Sequence, residues 1–278
     1  MGSRRLPRNL VAGVVLLLAL GLSALLAPWL GGDPNRAELT QVLEPPSAEH
    51  WLGTDPLGRD LGARLLHGGR VSLGVGLLTA LLALALGLPL GALAGYGRPW
   101  LDALVSRLIE AVLCFPGLVL ALALLAMSPP WLQSLPGVLR VALVLSLSGW
   151  VPVARYLRGE FMRIRGSDMV AAARSAGAGD LRIVVRHILP SSMAPVLVTT
   201  SFAVGGAVLV EAALSFIGVG ISAPTPTWGN LLKDAWENID RAWWLALFPG
   251  VLLFLTVLGC NLVGEGVRDR LDPRSGGR

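Results

Sequence analysis

The chain has 278 residues, of which 54% are hydrophobic and only 15% charged, with a mean hydropathy of +0.66. Soluble domains carry roughly 25% charged residues, so a water-soluble globule of this size is excluded, and so is disorder, which demands charge and few aliphatics. The net charge of +5 comes from 23 basic and 18 acidic residues, all the basic ones Arg except Lys233, and it is better explained by orientation in a membrane than by nucleic acid.

A bilayer core about 30 Å thick needs roughly 20 apolar residues in a helix. Six windows come near this length. Leu10–Leu30 and Val71–Tyr96 are free of charge, Leu108–Met127 carries only Glu110, and Gly137–Ala154 holds Arg140 close to one end. Met193–Val210 is uncharged up to Glu211, and Ala242–Val263 is uncharged throughout. The first run has the basic flank of a signal peptide, but its 21 residues exceed an h-region of about 7–15, so it is read as a permanent span. With the N-terminus inside, sixteen of the 23 basic residues fall on the cytoplasmic side. Both termini are therefore expected in the cytoplasm.

Cys114 and Cys260 lie in apolar runs and read as small packing residues. Neither they nor His50, His67 and His187 fall at metal-ligand spacing. No Gly-x-x-x-x-Gly-Lys-Ser/Thr phosphate loop occurs, which excludes ATP hydrolysis through a P-loop of the chain's own. His187 and Ser191 stand one helical turn apart, the nearest approach to a nucleophile–base pair, but in an Arg-rich loop rather than inside the membrane. Acids inside spans are candidates for a translocation path, and these are Glu110 and Glu211; Arg107, one turn before Glu110, offers it a local partner.

The inward loop 155–190 is the most informative segment. Gly166-Ser167-Asp168 supplies N-cap oxygens for a short Ala-rich helix over Met169–Ala176. Gly177 suits the left-handed residue that ends it. A second helix begins at Gly179-Asp180, and Pro190 closes or kinks it before the fifth span. A short helix with a small-residue face admits close approach by another protein; the competing reading is a helix lying on lipid head groups.

The run Val170–Gly177 (VAAARSAG), followed by Leu189-Pro190, resembles the EAA loop of ABC importer permeases, with Ala171 in place of the usual Glu. Leu52–Asp60 (LGTDPLGRD), Arg186–Pro190 (RHILP), Glu211–Gly220 (EAALSFIGVG), Pro224–Asn230 (PTPTWGN) and Asn261–Pro273 (NLVGEGVRDRLDP) are similar to blocks of the dipeptide, oligopeptide and nickel permeases. The resemblance implies an all-α integral membrane protein of six transmembrane helices, the type I ABC importer permease fold, in the inner membrane. Residues 1–69 would form a cytoplasmic tail, first span and external loop, 70–264 the permease domain, and 265–278 a cytoplasmic tail.

The same resemblance implies no catalytic site and no cofactor, ATP being bound by partner subunits. The partners implied are a second homologous permease, two cytoplasmic ATPases and an external solute-binding protein, besides membrane lipid. Asp168, Ala171, Ala172, Ala173, Gly177, Asp180, His187, Leu189 and Pro190 would form the ATPase-coupling loop, pushed as the ATPases close. Peptides are the expected cargo, with nickel or a metal chelate the alternative. A passive channel or secondary carrier is the rival class, distinguished by having no ATPase to dock.

Overall fold

The computed structural model describes residues 7–271, and among them regular structure is helical apart from one isolated bridge, Thr54 to Asp60. Helices α1 (Arg8–Leu25) and α2 (Ala27–Leu30) are separate because the first apolar run breaks at Leu26, where Pro28 begins a new turn. A loop of turns then leads to α3 (Leu61–Tyr96), which starts ten residues before the uncharged window because Asp60 caps it, its Oδ1 accepting from the Ala63 amide at 2.7 Å.

The third apolar window is not one straight helix. It is α4 (Pro99–Leu113) followed by α5 (Gly117–Ala126), bent by 86°. Pro116 has no amide hydrogen and its ring opposes the carbonyl of Val112, while Phe115 before it is pushed out of helical geometry. A short α6 (Pro130–Gln133) leads to α7 (Gly137–Arg165), which runs eleven residues past the apolar window. After it come α8 (Asp168–Ser175), α9 (Asp180–Ile183) and α10 (Leu189–Ile217), the last two joined without a break by a π turn over Val184–Ile188. The last helices are α11 (Trp228–Glu237) and α12 (Trp243–Leu271).

Five continuous helices are long and apolar enough to cross a membrane, and the bent pair is the sixth candidate. Arg158 near the end of α7 grips Asp102 of α4 bidentately, whereas Ala121 and Leu125 of α5 pack with Val141 and Leu145 at the start of α7. The bent pair thus runs from one end of the bundle to the other. The two limits of the described chain share an end, since Leu10 of α1 meets Gly266 of α12. We call this the terminal end; α8 lies there too, and residues 31–60 and α11 lie at the opposite one.

The spans are held by close backbone approach more than by side-chain bulk, as expected where lipid is as apolar as the core. In α3 the stripe Gly87, Gly91, Gly95 lies on α7: a methyl group at these positions would come within 2.7, 2.7 and 2.5 Å of Val153, Ala154 and Phe161. Apolar residues such as Leu18, Leu22, Leu81, Leu197 and Phe254 are exposed along the spans, and the exposed Trp29, Trp100, Trp131 and Trp243 stand near their ends, the positions favoured at a bilayer interface.

Candidate functional site

At the terminal end the 168–188 segment, the expected coupling loop, folds as a helix, a turn and a second helix. In α8 only Val170 is buried, 1% exposed; Ala173 and Ala178 are half-buried in the same apolar cluster as Phe161, Ile183 and Ile188. One anchored residue leaves the rest of the helix free. Asp168, Met169, Ala171, Ala172, Arg174 and Ser175 are exposed, and so are Leu181, at 78%, and Val185 just beyond. Large apolar side chains turned outward on a loop beyond the spans form a surface suited to a protein partner, and the alanines beside them let that partner approach closely.

Gly177 ends α8 with φ +81°. Its amide donates to the Arg174 carbonyl at 2.9 Å and the Ala178 amide to the Ala173 carbonyl at 3.0 Å, the paired bonds of a Schellman turn. A methyl group at Gly177 would meet nothing within 4 Å, so what demands glycine here is backbone conformation rather than space. The start of the helix differs from expectation. Ser167 holds the N-cap position, yet its hydroxyl makes no capping bond and is buried without a partner; its carbonyl instead receives the Val170 and Ala171 amides.

Asp180 opens the second helix, but its carboxylate serves another purpose than capping. Its Oδ1 accepts from the Tyr96 hydroxyl at 2.5 Å and lies 3.5 Å from Arg174 Nη2. Arg174 also donates to the Tyr96 oxygen at 3.1 Å, and this bond holds its guanidinium further toward the charged form. Pro190 does not close the helix. The π turn before it, which carries His187, shifts the hydrogen-bond register so that α10 continues straight through Leu189 and Pro190. Ser191 Oγ donates to the His187 backbone carbonyl at 2.8 Å and not to its ring, so the two form no nucleophile–base pair.

The two span acids have opposite surroundings. Glu110 is 61% exposed and pairs with Arg107 at 2.7 Å. Glu211 is wholly buried, accepting from Ser72 of α3 and Ser215 of α10 at 2.8 and 2.7 Å. Those hydroxyls in turn accept from the amides of Trp228 and Ile221. Glu211 thus ties α3, α10 and the 218–228 loop into one knot.

Nearby, Leu52–Asp60 folds into a turn around Asp55, which is wholly buried. Its carboxylate accepts from the Leu57 and Arg59 amides and from Arg59 Nε at 2.6 Å, and Arg64 Nε of α3 lies at 3.2 Å. Arg59 also reaches Asp234 of α11 at 4.0 Å. Burial pushes the Asp234 carboxyl above the usual aspartate range, against the pull of Arg64 and Arg59.

Sequence reasoning located the helix and turn of the 168–180 segment and both acids but missed Tyr96, Ser72 and the buried Asp55–Arg59–Arg64 group. The partners of Tyr96 and Ser72 lie 84 and 139 residues away. The available signal was local: a tyrosine closing an apolar run, and two arginines beside a conspicuous Asp.

Residues 87–276 match the family described as the binding-protein-dependent transport system inner membrane component. The chain belongs to this family. As such it is an inner-membrane component of a transport system. Among its relatives, a dipeptide transport system permease protein of Alkalihalophilus pseudofirmus is 40% identical over 276 residues, covering 98% of this chain and 88% of the relative. A glutathione transport system permease protein of Pectobacterium atrosepticum is 37% identical over 262 residues, 94% of this chain and 84% of the other. The solved structure of an inward-facing MetNI methionine ABC transporter shares the fold, with a TM-score of 0.64 over 75% of this chain and 96% of that one, at 19% identity. The all-α, multi-span architecture is therefore that of an ABC importer permease.

Proposed function

We propose that the chain is the permease subunit of an ATP-driven importer of peptides, working with a second permease, two cytoplasmic ATPases and an external solute-binding protein. One observation carries this reading: within a family of binding-protein-dependent permeases, the 168–180 segment is a largely exposed helix and turn in which Val170 alone is buried. Such an element offers a surface to a moving partner without being locked into the bundle. Asp168, Ala171, Ala172, Ala173, Gly177, Asp180, His187, Leu189 and Pro190 make up the docking loop and its mount, and at Ala171 the contact is apolar rather than charged. The relatives named for dipeptides and glutathione support peptides as cargo. ATP binds to the partner subunits, since the sequence has no phosphate-binding loop. With both termini and α8 in the cytoplasm, the Asp55 and Glu211 knots face outward, where the binding protein would deliver its load.

Reconstitution in liposomes tests the proposal. Dipeptide uptake should require the second permease, the ATPases, the solute-binding protein and ATP. Uptake by the permeases alone would point to a channel or secondary carrier and overturn it. Reporter fusions after Gly32 and Arg165 should report outside and inside respectively, and a shared compartment would overturn the orientation.

A further inference from the structure

The loop that carries α8 could hang freely from the ends of α7 and α10, or it could be tied to another span. It is tied, and the tie is one side chain. Tyr96 is the last residue of α3. Its hydroxyl donates to Asp180 and accepts from Arg174, so both sides of the Gly177 turn are held at one oxygen. Its ring packs with the apolar cluster that buries Val170 and Ile183. The guanidiniums of Arg165, at the end of α7, and of Arg174 stand 5.5 and 6.0 Å from the ring centroid, within cation–π range.

Behind Tyr96 stands a stiff element. α3 has 36 residues, about 54 Å at 1.5 Å each, and Gly95 lies against Phe161 and Arg158 of α7. At its other end α3 carries Arg64 and Ser72, which belong to the Asp55 and Glu211 knots. A displacement of the loop therefore reaches the far side of the bundle along one helix, provided that Tyr96 holds.

We propose that Tyr96 is the positioning residue that couples the 168–180 loop to α3, so that transport depends on its hydroxyl while ATPase docking does not. The proposal rests on the reading of this loop as the ATPase-docking element. Hydrolysis without movement of α3 would be idle turnover, which gives the residue a signature distinct from a purely structural role.

The test is Tyr96→Phe, which keeps the ring, its packing and its cation–π contacts with the two arginines and removes only the hydroxyl, with its bonds to Asp180 and Arg174. The variant is reconstituted with its partners in liposomes, and co-eluting ATPase, ATP hydrolysis and dipeptide uptake are measured together. ATPase association and hydrolysis are expected to stay at native levels, while uptake per ATP falls about fivefold or more, the span of ordinary coupling energies. In the purified permease without ATPases, hydrogen exchange at the Gly177 and Ala178 amides should speed up.

Native uptake per ATP in Tyr96→Phe overturns the proposal, as does unchanged exchange in the loop. Loss of ATPase association in this variant also overturns it, because Tyr96 would then shape the docking surface instead of transmitting from it. Gly177→Val tests the docking reading separately. If that variant keeps its ATPases, the docking reading falls, and the uptake ratio of Tyr96→Phe still decides the role of Tyr96.

Discussion

The two ends of the bundle are built on opposite principles. At the end away from the termini Asp55, Arg59, Arg64, Ser72, Glu211 and Ser215 are buried and held by hydrogen bonds or ion pairs to one another or to backbone groups, joining segments from residue 52 to residue 234. At the terminal end most charged side chains are exposed, and α8 rests on one buried valine and the Tyr96 tie. Buried polar networks are costly to break in part, so the end away from the termini resists piecemeal change. A lightly anchored helix can be displaced as a unit. The contrast suits a machine that takes force at one end and moves whole helices rather than side chains at the other.

The largest expected effect comes from the end away from the termini. Asp55→Ala leaves Arg59 and Arg64 buried without their shared carboxylate, and removing one partner of a buried ion pair costs about 3–5 kcal/mol. We expect a sharp fall in thermal stability of the detergent-purified protein; a melting temperature within a degree or two of native would show that the knot is not rigid. Glu211→Ala should come next, at about 1–3 kcal/mol for stranding the Ser72 and Ser215 hydroxyls. Glu211→Gln, whose single carbonyl oxygen still accepts one of the two bonds, should lose less. Equal losses in the two variants would mean that the carboxylate's charge, and not its bonding, matters.

At the terminal end the expected stability effects are smaller and the functional ones specific. Gly177→Val places a β-branched residue at φ +81°, a strain of about 1–2 kcal/mol, confined to the end of α8. Normal membrane insertion with reduced ATPase co-elution is expected. Gly179→Val is the control, since φ there is an ordinary −71°. Equal loss of ATPase from both would show that bulk on the loop, and not the Schellman turn, is what the partner senses.

The smallest effect is electrostatic. The carboxyl of Asp234 is raised by burial, so its protonated form is favoured by the fold. That contribution is complete below the ordinary aspartate value and fades as pH climbs through the raised one. Asp234→Asn should therefore flatten the dependence of melting temperature on pH in the mildly acidic range. An unchanged slope would mean that Arg59 and Arg64 compensate its burial fully.

Much of this was legible in the sequence because membrane spans are local. Six apolar windows located the spanning helices, and small residues before Gly177 located α8 and its turn, because helix capping depends on neighbours a few residues apart. Boundaries failed where charge interrupted a helix. Leu61–Arg70 is helical although it holds Arg64, His67 and Arg70, and only a buried partner from residue 55 makes Arg64 tolerable there. The 86° bend had its cause in Pro116, but four other prolines inside spans, Pro89, Pro152, Pro195 and Pro249, leave their helices continuous. Sequence cannot say which proline breaks its helix, because the answer lies in what neighbouring helices supply to the freed carbonyl.

By itself, then, the sequence determined that the chain is a membrane protein, where its spans lie and where a short helix and its turn stand between two of them, since hydropathy and turn chemistry act within one or two helical turns. The tertiary structure decided what the acids and the tyrosine do. Glu110 and Glu211 look alike along the chain, yet one pairs with Arg107 in the open and the other is enclosed by helices converging from residues 72, 215 and 228. Tyr96 becomes a tie only when α3 and the 168–180 loop meet. Desolvation and hydrogen-bond geometry set these roles, and both depend on chain segments that are neighbours in space alone.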